Sequence, residues 1–141
     1  MLANYFKTPA DLQITDVEHN ALVNVLGMLE REELAFGKRY EDTDQIMPTS
    51  IKTFHMNITY SKSRCGTVAC IGGWAAILMG RDPIDYVQGR GSWPLPEELR
   101  KLFWPGDSGS LATRSQAAIA LRSYLTIGEA NWDDALAERF I

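Results

Sequence analysis

The chain has 141 residues, 45% of them hydrophobic and 23% charged, which puts it in the size range of one domain, roughly 100 to 200 residues, and among globular rather than disordered chains. A formal net charge of −4 lacks the basic footprint that phosphate backbones require, so nucleic acid is not an expected partner. Two cysteines do not make a disulfide scaffold, residues 1–10 hold no secretory apolar stretch, and the apolar run 68–79, interrupted by Gly72 and Gly73, falls short of the about 20 residues of a membrane span, so the expectation is a cytoplasmic domain that does not enter a membrane.

In chain order, Thr15 and Glu18 form a capping box, and Val17, Ala21, Leu22, Val25, Leu26 and Leu29 recur at helical spacing, which predicts a helix over 15–36 with Gly37 as its stop. Residues 38–50 read as a loop. Phe54, Met56, Ile58 and Tyr60 alternate with His55, Asn57 and Thr59, the period of a half-buried strand over 53–60. One strand leaves its ladder groups unpaired, so a partner is required, either a short segment near Tyr86 and Val87 or a second copy of the chain in a homodimer.

Thr67 predicts the cap of a second helix over 67–79 that ends at Gly80 and is apolar nearly all round, which makes it the central helix. Gly72 and Gly73 inside it each cost roughly 1 kcal/mol relative to Ala, a cost that close approach of a neighbour would offset. Residues 81–95 are rich in turn residues and read as a connection. Pro96, Glu97 and Glu98 start a helix through Phe103, Thr113 and Gln116 cap another that stops at Gly128, and Asn131 caps a last one over Trp132, Leu136 and Phe140. The expected architecture is one domain over 1–141, mainly α, a compact bundle of about four to five helices around the central one, with a single short strand or minor β element.

The segment Cys65-Gly66-Thr67-Val68-Ala69-Cys70 is the one place that invites chemistry. A thiol near a helix amino terminus is acidified, and His55, on the polar face of the strand leading into it, is the candidate base for a Cys65 nucleophile. Against this, Cys70 lies among apolar residues and reads as packed and inert. The C-x4-C spacing is not that of thioredoxin-type redox sites, and a structural zinc site wants four ligands where Cys65, Cys70 and His55 supply three and His19 would have to come from a distant helix, so no metal or other cofactor is expected. Phosphate-cradling, dinucleotide, zincin and nucleophile-elbow motifs are absent. Of the four tryptophans, Trp93 and Trp104 stand next to prolines and are the candidate exposed anchors for a partner protein.

The run Cys65-Gly66-Thr67-Val68-Ala69-Cys70-Ile71-Gly72-Gly73-Trp74-Ala75, with Phe54-His55-Met56-Asn57 before it and Leu102-Phe103-Trp104-Pro105 and Gly128-x-x-Asn131-Trp132 after it, resembles a group of small bacterial and phage proteins that share a C-G-T-x-x-C-x-x-G-W-A core. The resemblance covers about the last two-thirds of the chain and carries no catalytic residue with it. It implies phage or mobile-element biology, in which small proteins inhibit host enzymes by binding them, and it marks Cys65, Gly66, Thr67, Cys70, Gly72, Gly73 and Trp74 as a structural motif. The function expected is therefore a protein-interaction domain without catalysis, a regulator or phage-type inhibitor. The alternative is a thiol-dependent enzyme or redox protein using Cys65 with His55 or Cys70.

Overall fold

The computed structural model describes residues 6–36, 38–39, 46–47, 52–56, 60–63, 66–88, 95–105 and 112–137. Helix dominates them. The first helix, α1 (Pro9–Leu12), is a single turn closed by a Thr8–Asp11 capping box, and it leads into α2 (Asp16–Glu30), closed by the expected Thr15–Glu18 box. Ala21, Leu22, Val25, Leu26 and Leu29 are buried along α2 as the spacing predicts, but Val17, at 53% exposure, lies off the buried stripe. The helix also ends earlier than 36. Glu32 takes a left-handed φ of 57°, and the Glu33 and Glu32 amides donate back to the Met28 and Leu29 carbonyls, the closing pattern usually built on glycine. Gly37 lies outside the described residues.

The larger of two small sheets follows. It holds β1 (Ala35–Phe36), β4 (Lys52–Phe54), β5 (Tyr60–Ser63) and β6 (Gly66–Ala69) in the order β1-β4-β6-β5, while β2 (Lys38–Arg39) pairs antiparallel with β3 (Ile46–Met47). The strand expected over 53–60 thus appears as β4 and, separately, the start of β5, with residues 57–59 outside the described ones. Its partners are neither of those expected. β4 runs parallel to β6, pairing Phe54 with Ala69, and parallel to β1, pairing Phe54 with Phe36. Both edges of β4 are therefore taken within one chain, so it has no edge to offer a second copy, and Tyr86 and Val87 lie instead in a helix.

The central helix, α3 (Ile71–Met79), begins four residues later than 67, because Gly66–Ala69 is spent on β6. Cys70, not Thr67, is its cap: the Cys70 Sγ accepts from the Gly73 amide at 3.4 Å. Gly80, at φ 72°, ends it as expected. Residues 81–95, read as a connection, contain α4 (Pro83–Val87), a short helix that Asp82 caps and Pro83 starts. Next come α5 (Glu97–Phe103), α6 (Arg114–Ile127), with the expected Thr113–Gln116 capping box, and α7 (Trp132–Ala137). Asn131 precedes α7 but does not cap it through its side chain. Its φ is 52°, and its Nδ2 donates to the Ser123 hydroxyl.

The helix α3 packs against α2 and α4, and α2 packs against α6. A single cluster of buried side chains runs from Leu12 to Ala135 and includes Leu22, Phe54, Ile71, Tyr86, Leu99, Phe103 and Leu121. The fold is mainly α with a minor β element, and α3 is its centre. No helix among the described residues is long and apolar enough to cross a membrane.

Candidate functional site

The two-cysteine segment bends from strand to helix at Cys70. The Cys70 side chain is buried, and burial pushes its thiol pKa up more than the amides of Gly73 and Gly72 pull it down. The thiolate that nucleophilic or redox chemistry needs is therefore disfavoured there. His55 is buried beside β4, its backbone amide donates to the Ala69 carbonyl, and desolvation lowers its pKa. Cys65 lies outside the described residues, so the Cys65–His55 pair expected from the sequence has no described geometry. His19 is on α2, with its Nε2 at 2.9 Å from the Lys7 carbonyl. Among the described residues, no three His, Cys, Asp or Glu side chains come together to hold a metal ion.

What the rest of the motif does is pack. Trp74 is buried and its Nε1 donates to the Thr53 carbonyl at 2.9 Å, joining α3 to β4. Gly72 allows α4 and α5 to close on α3, since a Cβ there would lie 2.7 Å from the Val87 Cγ2 and 3.0 Å from the Phe103 ring. Gly73 supplies the amide that Cys70 receives, and Gly66 and Thr67 occupy β6. This local density is a structural junction of sheet, central helix and α4.

Of the two candidate anchors, Trp93 lies outside the described residues. Trp104 follows α5, is 52% exposed, and is steadied by its Nε1, which donates to the Val87 carbonyl at 3.2 Å. Its ring lines a cleft of about 450 Å³ between α5 and α7, together with Lys101, Trp132, Glu98, Glu129, Asp133 and Asp134. Trp132 forms the fixed wall: it is buried, and its Nε1 donates to the Lys101 and Leu102 carbonyls, both at 3.2 Å. Lys101 bridges Glu98 at 3.1 Å and Glu97 at 3.7 Å, and these carboxylates hold its pKa above the usual lysine value. Glu129, Asp133 and Asp134 have no such cation among the described residues, so the cleft is net acidic.

A second cleft, of about 440 Å³, opens on the other side of the α5 start, lined by Lys7, Asp11, Gln13, Glu97, Glu98 and Tyr124 among others. Glu98 belongs to both clefts. In the core lies a buried polar pair, Tyr86 donating to Glu18 at 2.6 Å, with the Arg81 guanidinium 5.1 Å from the centre of the Tyr86 ring. Burial, followed by the Glu18 hydrogen bond and charge, drives the Tyr86 phenol pKa up, and burial first and the charges of Glu18 and Glu98 next do the same to Tyr124. Both phenols therefore keep their protons at neutral pH.

The chain matches no family model, no curated protein and no solved structure. The candidate site therefore rests on geometry alone: an aromatic, acidic cleft on a mainly helical fold. Trp104 is exposed as the sequence suggested, but the carboxylates that share its cleft were not singled out, although Asp133 and Asp134 stand directly after Trp132 and mark an acidic first turn. Glu18 and Tyr124 were legible only as a capping residue and a core residue. That Glu18 meets Tyr86 and that Tyr124 lies beside α5 depend on tertiary packing.

Proposed function

We propose that this chain is a small cytoplasmic protein-interaction domain without catalysis of its own, a regulator or inhibitor of phage type that binds a host enzyme through the surface around Trp104. The observation that carries this reading is the tryptophan itself, half exposed at the mouth of a cleft and held in place by the Val87 carbonyl. A large ring already fixed in position loses little freedom when a partner covers it, and such rings dominate binding energy at interfaces. The raised pKa of the buried Cys70 thiol weighs against a part for Cys70 in the thiol-enzyme alternative, which then rests on Cys65 with His55. That alternative expects Cys65→Ser to abolish turnover while the fold survives, and equal activity of the variant would end it.

The test is co-purification of the tagged chain from a host lysate beside a Trp104→Ala variant. The reading expects a specific partner that the variant loses, with an unfolding midpoint close to the parent's. Finding no partner, or one held equally by the variant, would falsify it.

A further inference from the structure

We propose that the acidic face of α5 binds an extended basic segment of a partner protein: an arginine or lysine stacks on Trp104 beside Glu129, Asp133 and Asp134, and the segment crosses Glu98 into the second cleft, where the Tyr124 hydroxyl donates to one of its carbonyls. This rests on the interaction reading above and adds the chemistry of the partner.

Charge selects a cationic occupant. The first cleft sets Glu98, Glu129, Asp133 and Asp134 against Lys101, which Glu98 and Glu97 already engage, and the second sets Asp11, Glu97 and Glu98 against Lys7. The location of Asp133 and Asp134 in the first turn of α7 explains why that helix tolerates them. It does not explain an exposed indole beside them, and tryptophan is the ring on which a cation rests best. A bare metal ion is a poor fit, because no three donor side chains among the described residues converge on one point. Separated carboxylates along a groove suit a chain of spaced cationic side chains.

Tyr124 supplies a second, independent reason. The residue is 1% exposed, it lines the second cleft, and its hydroxyl has no hydrogen-bond partner among the described residues. A buried donor left unmade is costly. A main-chain carbonyl of a bound segment would satisfy it, and Glu98, common to both clefts, makes the path from Trp104 to Tyr124 continuous.

The experiment is fluorescence anisotropy with a labelled short peptide of alternating arginine and serine, compared with its glutamate–serine counterpart, titrated with the full chain at low salt. The arginine peptide should bind and the glutamate peptide should not. Trp104→Ala, and Asp133→Asn combined with Asp134→Asn, should each weaken binding about fivefold to tenfold, in line with a cation on an indole among carboxylates. Glu32→Gln combined with Glu33→Gln removes the same charge outside both clefts and should leave binding unchanged. Tyr124→Phe should weaken it several-fold without lowering the unfolding midpoint.

Equal binding of the two peptides, or wild-type affinity in the Trp104 and Asp133/Asp134 variants, overturns the proposal. Wild-type affinity in Tyr124→Phe overturns the crossing into the second cleft. Flat peptide data together with a Trp104-dependent partner whose contacting segment is not basic would end this inference and leave the interaction reading standing. A lysate partner indifferent to Trp104→Ala would end the interaction reading itself.

Discussion

Gly72 and the buried tyrosines show how far single positions carry the fold. Replacing Gly72 with Ala gains about 1 kcal/mol of helix propensity, but the new methyl meets Val87 and Phe103 at 2.7 and 3.0 Å, and overpacking of this kind costs about 1 to 3 kcal/mol. The steric term is the larger, so Gly72→Ala should lower stability by about 1 kcal/mol in urea unfolding. An increase would mean that α4 and α5 yield freely. Tyr86→Phe removes the hydroxyl that donates to the Glu18 Oε2 atom and should cost about 2 kcal/mol, the usual loss for a hydrogen bond to a buried charged group. Tyr124→Phe removes a donor with no partner among the described residues and should be neutral or stabilising by up to about 1 kcal/mol. Opposite outcomes for the two tyrosines in one denaturation series check both statements. The glycine's role was legible in the sequence as a close contact of unknown partner. That Val87 and Phe103 make the contact depends on residues far away along the chain.

Elements end where their local chemistry allows, and α2 illustrates a case in which pattern misled. Its apolar spacing suggested an end near Gly37, yet the chain turns at Glu32, a residue that must adopt a left-handed φ without glycine's freedom. That conformation costs an ordinary residue roughly 1 kcal/mol or more. Glu32→Gly should therefore raise stability by about 1 kcal/mol, whereas Gly80→Ala, at the equivalent stop of α3 with φ 72°, should lower it by a similar amount. Thermal midpoints of both variants test the pair, and a shift in the same direction for both would contradict the account. The capping boxes at Thr15 and Thr113 were readable because both partners lie within four residues. The start of α3 was not, since Thr67 and Cys70 are both competent caps. What moved the cap to Cys70 was pairing of Gly66–Ala69 with β4 and β5, a long-range demand on the backbone that outranks local preference.

For the whole molecule, burial of His55 links stability to pH. Desolvation lowers its pKa from 6.5, so the unfolded chain binds the proton more readily than the folded one. The contribution to stability is intact above 6.5 and declines as pH falls below it toward the folded pKa. Urea unfolding on either side of 6.5 should show this loss, and His55→Gln should flatten it; an unchanged slope in the variant would assign the effect to another group. The acidic cleft belongs to the same scale. Trp104 comes from the end of α5, and Asp133 and Asp134 from α7, and they meet because Trp132 anchors α7 to the carbonyls of Lys101 and Leu102.

The helical class, the capped starts of α2 and α6 and the centrality of the apolar helix ending at Gly80 were legible along the chain, because each depends on residues near one another in the chain or on composition. Tertiary structure alone decided that the strand signal belongs to a four-stranded sheet, that Cys70 is a buried cap, that Glu18 lies against Tyr86, and that the carboxylates of α5 and α7 surround one indole. Backbone pairing, desolvation and charge clustering are properties of groups brought together through space, and no periodicity along the chain encodes them.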